Sequence, residues 1–130
     1  MDDIEQVNPF GTEAEVWIRY FLGKLGANYS FPFGEQAMVF KVANKMFGLI
    51  SIHKGQLCMN LKCDPEQALE LRDLFACVQP GYHMNKKHWN TIIFDGSLPE
   101  GELQRQIDHS YELIVSALPK SQRVTLSLNA

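Results

Sequence analysis

Cysteine is scarce in this sequence, with only Cys58, Cys63 and Cys77, an odd number at no regular spacing. That excludes the disulfide framework of a small secreted domain and suits free thiols in a reducing compartment. Long apolar runs are also missing. The most apolar stretch, Met46 to Ile52, is broken by Gly48 and Ser51 and falls far short of the roughly 20 residues that span a bilayer, so no membrane segment is expected. The opening Met1-Asp2-Asp3-Ile4-Glu5-Gln6 has neither the basic nor the apolar region of a secretory signal, which points to a cytoplasmic location. Excess positive charge is absent as well. The formal charge of -3 and a pI near 5.8 exclude a surface that attracts nucleic acid or anionic membrane all over, while leaving room for a local basic patch.

What is present is ordinary globular material, with 45% apolar and 21% charged residues in 130, enough for one domain with a real core. Three segments open on a capping signal, namely Thr12 with Glu15, Asp64 with Gln67 and Ser97 with Glu100. In the first, Ala14, Trp17, Ile18, Phe21, Leu22 and Leu25 form one apolar stripe that Gly26 is expected to end. In the second, Ala68, Leu71, Phe75 and Val78 follow Pro65. In the third, Leu103, Ile107, Tyr111, Ile114 and Leu118 follow Pro99. Between helices the apolar period drops to two, predicting strands at Asn28 to Phe33, Met38 to Ala43, Met46 to Ile52, Gln56 to Lys62 and Trp89 to Phe94. The order α-β-β-β-β-α-β-α, with short turns that force antiparallel pairing, predicts an α+β two-layer sandwich. One domain is expected over residues 12–118, with flexible polar extensions at 1–11 and 119–130.

Charge alternates with these elements. Residues 1–26, 64–78 and 95–112 carry net charges of -3, -3 and -4, whereas residues 36–63 and 79–94 carry +4 and +2 and contain no carboxylate. The functional reading is a phosphate-contacting surface made of Lys41, Lys45, Lys54 and Lys62 on an open sheet face and its turns, joined by Lys86 and Lys87. Tyr82, Trp89 or Phe47 would supply stacking. The alternative is that exposed strands carry lysine to discourage edge pairing, with acids at helix starts for dipole reasons.

Other chemistry has little support. Cys58-x4-Cys63 and His83-x4-His88 fall within zinc-ligand spacings, but two cysteines five apart on a strand face opposite sides, so no metal is expected. Asp108-His109-Ser110 spells a triad whose members are about 100° apart on a helix and cannot converge. Glu13 and Glu15 face different sides of the first helix, and Asp2, Asp3 and Glu5 precede it, which leaves iron ligation poorly supplied. No Gly-rich phosphate loop or Walker sequence occurs, so no nucleotide cofactor is implied.

The run Pro80-Gly81-Tyr82-His83-Met84-Asn85-Lys86-Lys87-His88-Trp89-Asn90-Thr91, followed by Asp95-Gly96-Ser97-Leu98-Pro99, resembles the signature of the MmcQ/YjbR family. So do Phe31-Pro32-Phe33-Gly34, Val39-Phe40-Lys41 and Lys45-Met46-Phe47. The resemblance extends from about Thr12 to Leu118. It implies a frataxin-like antiparallel sheet backed by terminal helices. It also implies a double-wing DNA-binding role, which matches the lysine surface. Carried over, the motif covers Tyr82, His83, Met84, Asn85, Lys86, Lys87, His88 and Trp89. Of these, Lys86 and Lys87 read as phosphate contacts, Trp89 as a core anchor of the loop, Asn85 as a turn former, and His83 and His88 as donors to phosphate or to backbone. The expectation is a non-enzymatic DNA-binding protein of low specificity. A protein- or small-ligand-binding module of the same fold is the alternative.

Overall fold

The computed structural model describes residues 3–128 of the chain. The outermost two residues of each expected extension, Asp2 among them, lie outside the described residues. The architecture is the α+β two-layer sandwich that the periodicity predicts, with an antiparallel sheet of strand order β1-β2-β3-β4-β6-β5. Its strands are β1 (Ala27–Ser30), β2 (Ala37–Val42), β3 (Lys45–His53), β4 (Gln56–Lys62), β5 (Val78–Pro80) and β6 (Trp89–Ile93). Helices α1 (Asp3–Val7), α2 (Thr12–Leu22), α3 (Pro65–Leu74), α4 (Glu100–Ser116) and α5 (Lys120–Leu128) complete it.

The sheet has six strands where the sequence pattern suggests five, because Val78–Pro80 pairs with β6. Val78 therefore belongs to a strand instead of closing α3. Two helices also occupy segments that read as polar extensions. Ile4, Val7 and Phe10 pack on the core from the N-terminal side, and Leu126 of α5 does so from the C-terminal side. Their apolar residues are too few and too spaced to stand out in a periodicity count.

Only the middle capping signal works as written. The Asp64 side chain accepts from the Gln67 amide at 3.2 Å. Helix α2 starts from Gly11 with no side-chain cap, and α4 from Pro99, because Ser97 turns back to Asp95 with its hydroxyl at 2.5 Å. Helix α2 stops at Leu22 with Gly23 as its cap, three residues before Gly26.

The core lies between the helices and one face of the sheet. Met38, Phe40, Phe47, Ile50, Met59, Leu61 and Ile92 rise from the strands to meet Trp17, Ile18 and Phe21 of α2 and Leu103, Ile107 and Ile114 of α4. Phe21 stacks on Phe40 with ring centroids 4.2 Å apart, directly over Gly48, where a Cβ would sit 2.2 Å from the Phe21 ring. Pairing slips at Phe40/Lys41, leaving Phe47 as the extra residue of a bulge. The bulge frees the Phe47 carbonyl to accept from the buried Ser110 hydroxyl at 2.6 Å. Tyr20 and Lys24 both reach Asp108, tying α2 to α4. Burial and the Asp108 hydrogen bond push the Tyr20 phenol up to about 12.

Candidate functional site

The second, open face of the sheet lies outside the main core; its middle positions Val39, Leu49 and Cys58 are buried, and the lysines that the charge pattern singles out stand toward its ends. None of the six strands contains an aspartate or glutamate. Register puts Lys41 opposite Met46 and Lys62 opposite Trp89, both on this face. Lys45 lies at the β2–β3 turn beside them, whereas Lys54 lies in the β3–β4 turn at the far end of the sheet. The lysines therefore flank the face at its two ends.

The Tyr82 to Trp89 loop leaves β5 and folds back over this face. Asn60 and Thr91 fix its start. Thr91 donates its hydroxyl to Asn60 Oδ1 at 2.6 Å and accepts the Tyr82 amide at 2.8 Å, while Asn60 Nδ2 donates to the Tyr82 carbonyl at 3.3 Å. From the other side, Arg72 of α3 donates to Asn90 Oδ1 at 2.7 Å, to the Trp89 carbonyl at 3.3 Å and to the Lys86 carbonyl. Gly81 passes so close that a Cβ would lie 2.7 Å from Trp89 Cβ. His83 holds φ at 59°, the left-handed region that a short connection needs.

The motif residues divide by role. Asn85 closes a turn by accepting the Lys87 amide at 2.9 Å, and Lys86 spends its ammonium on the Gly81 carbonyl at 3.2 Å. Lys87 is exposed but borders Pro65, Leu69 and Arg72 on the α3 side instead of the open face. Within the loop, the His88 carbonyl accepts the Cys63 amide at 2.8 Å. Trp89 does not anchor the core. It is half-buried on the open face across from Lys62, because strand alternation sends Asn90 and Ile92 inward instead. Phe47, considered for stacking, is fully buried in the core against Phe21 and Tyr111 and is lost to any ligand.

Tyr82 is the aromatic that the face does present. It is 44% exposed, with the His53 and His83 rings at 3.9 and 4.0 Å. Across from it, Phe33 projects from the β1–β2 loop and is 74% exposed. Between the two walls runs a groove of about 540 Å³ floored by Ala37, Leu49 and Ser51, with Met46 and Met84 on its sides. No carboxylate lines it.

Asn60, Thr91, Arg72, His53 and Phe33 are the positions that sequence reasoning did not place in the site. A signal existed for the first three. Asn60 and Thr91 are polar residues inside apolar strands, and Arg72 is the one cation in an otherwise acidic helix. Each such residue needs a partner, and the loop backbone supplies it.

The other constellations disperse. Asp108 faces Tyr20 and Lys24, His109 accepts the Asp64 amide at 3.3 Å, and Ser110 lies between Phe47 and the Lys62 amide. Cys63 joins the core, whereas Cys58 sits in register with Ile93 on the opposite face. Burial pushes the Cys63 thiol up to about 11 and raises that of Cys58, so both stay protonated at neutral pH. Among the described residues, no group of three or more His, Cys, Asp or Glu side chains could hold a metal ion, and no helix is long and apolar enough to cross a membrane.

Comparison with known proteins agrees with this fold. A profile of the family described as YjbR matches residues 22–113. The Escherichia coli K12 protein YjbR, described as uncharacterized, is 34% identical over 109 residues, covering 84% of this chain and 92% of its own. The uncharacterized YbdF of Escherichia coli O157:H7 is 39% identical over 89 residues, covering 68% and 73%. Among solved structures, the Deinococcus radiodurans protein DR2400, described as a DUF419 domain, superposes with a TM-score of 0.81 at 33% identity, covering 92% of this chain and 90% of that one. A Pseudomonas syringae protein superposes with a TM-score of 0.67 at 26% identity over 76% of this chain and 96% of its own.

Proposed function

The chain belongs to the YjbR family, and from that premise we propose that it is a non-enzymatic DNA-binding protein that uses the open sheet face on backbone phosphates. One observation carries the reading: the strands hold no carboxylate, Lys41 and Lys62 lie on the face at one end with Lys45 at the adjoining turn, and Lys54 lies in the turn at the other end. Phosphate contacts of this kind position a protein on nucleic acid with little sequence preference. The lysines outweigh the loop in this assignment. Lys86 is engaged with its own loop and Lys87 lies toward α3, so neither leads the contact.

The test is anisotropy of labelled random-sequence DNA, as duplex and as separated strands, titrated at several salt concentrations. Binding should weaken linearly in log-log form. The Lys41→Gln/Lys62→Gln double variant should lower the slope by about one unit per lysine while leaving the melting temperature nearly unchanged. Absence of binding by either DNA form at low salt overturns the reading.

A protein partner on the same face is the second reading, favoured by the exposed apolar surface of Phe33 and Tyr82, which line one groove. A partner recovered by pull-down that survives nuclease treatment would select it.

A further inference from the structure

The groove between Phe33 and Tyr82 has a shape that phosphate contacts do not require. We propose that it receives one unstacked base of a single-stranded nucleic acid, inserted between Phe33 and the His53–Tyr82–His83 cluster, a reading that rests on the DNA-binding function proposed above. A duplex keeps its base faces inside the stack and offers a protein only their edges. A concave slot walled by exposed rings has nothing to hold there. A single strand presents base faces, and every base has a face that stacks on aromatic side chains.

The walls are built for this. Phe33, 74% exposed, gains little for the fold by standing in solvent. Tyr82 is held rigidly, its ring against two imidazoles at 3.9 and 4.0 Å and its backbone on Asn60 and Thr91, so little ordering cost remains on binding. The thioethers of Met46 and Met84 line the slot and adapt to purine or pyrimidine outlines alike.

Charge agrees with shape. No carboxylate lines the slot, and lysines stand beyond both its ends. From Gln56 to Lys62, β4 runs about 20 Å at the usual strand rise, the span over which a backbone would pass from Lys54 to Lys62. Gln36, Ser51 and His53 offer polar atoms to a base edge without a fixed donor pattern, which fits low sequence preference.

The experiment compares a short labelled single strand of mixed sequence with its duplex at one low salt concentration, for the unaltered protein and for Phe33→Ala, Tyr82→Ala and Tyr82→Phe. The single strand should bind at least about tenfold more tightly than the duplex. Phe33→Ala and Tyr82→Ala should each weaken it by roughly 5- to 100-fold with an unchanged salt slope, whereas Tyr82→Phe keeps most of the affinity. Because Phe33 is so exposed, its variant stays folded and reads the contact alone. Equal affinity for single strand and duplex, with Phe33→Ala binding as the unaltered protein does, overturns the base-slot assignment and leaves the phosphate reading standing. Binding to neither form overturns both.

Discussion

The covered face of the sheet is filled by apolar side chains such as Met38, Phe40, Ile50, Met59 and Ile92, whereas the open face sets Lys41, Ser51, His53, Asn60, Lys62 and Thr91 among its apolar positions. On the covered side, order comes from burial, which is strong but indifferent to small changes of direction. On the open side, order comes from hydrogen bonds of Asn60, Thr91 and Arg72 to the backbone of one loop. Those bonds place Tyr82 without covering it. A surface that must stay accessible and still be shaped needs directional contacts, because burial would close it.

The comparison breaks first where it is strongest. Phe21→Ala should cost about 3–5 kcal/mol in urea unfolding, since the ring is fully buried between Phe40 and Gly48. Gly48→Ala alone forces a Cβ into that ring, but in the Phe21→Ala background the added methyl occupies vacated space. A double-mutant cycle should therefore show the second substitution less harmful than the first context makes it. Additive costs would mean that Gly48 is present for another reason.

On the open face, Thr91→Val keeps the shape and removes the hydroxyl shared by Asn60 and the Tyr82 amide. The expected loss is about 1–3 kcal/mol, with Thr91→Ser restoring most of it. Amide exchange at Tyr82 should quicken in the valine variant while core amides of β3 keep their protection relative to global stability. Uniform loosening of core and loop together would erase the distinction between the two faces.

The sequence carried the covered face better than the open one. Stripes such as Ala14-Trp17-Ile18-Phe21 are periodic and dense, so both the helix and its buried side follow from spacing alone. Chain-end helices escaped because Ile4, Val7 and Leu126 bury only part of themselves and form no run. The lysine-rich, carboxylate-free strands were legible as charge. What the pattern did not carry was how the loop is seated on the sheet, because its backbone is held by bonds that cross the chain. Arg72 lies 14 residues before Lys86, and Thr91 is 31 residues from its partner Asn60. Local spacing does not encode such pairings.

The faintest contrast between the faces concerns acid. Strands carry no carboxylate, so the carboxyl groups that acid neutralises lie in the helices and connecting segments, and in the helical layer Arg105 bonds hold the Glu102 carboxyl below its ordinary value of about 4.5. A carboxyl depressed in the folded state contributes stability above its unfolded value and loses it as pH falls through the folded one. Stability should thus fall below about pH 4.5 as that contribution is titrated away, and Glu102→Gln should flatten this part of the profile. The effect is small, because the Arg105 side chain is nearly half exposed and solvent screens the pair. Urea midpoints measured across the acid range for both proteins, with loop exchange followed in parallel, separate the layers. A matching acid loss in Glu102→Gln would move the sensitivity to another helical carboxylate, and exchange that rises first in the Tyr82 loop would place it on the open face instead.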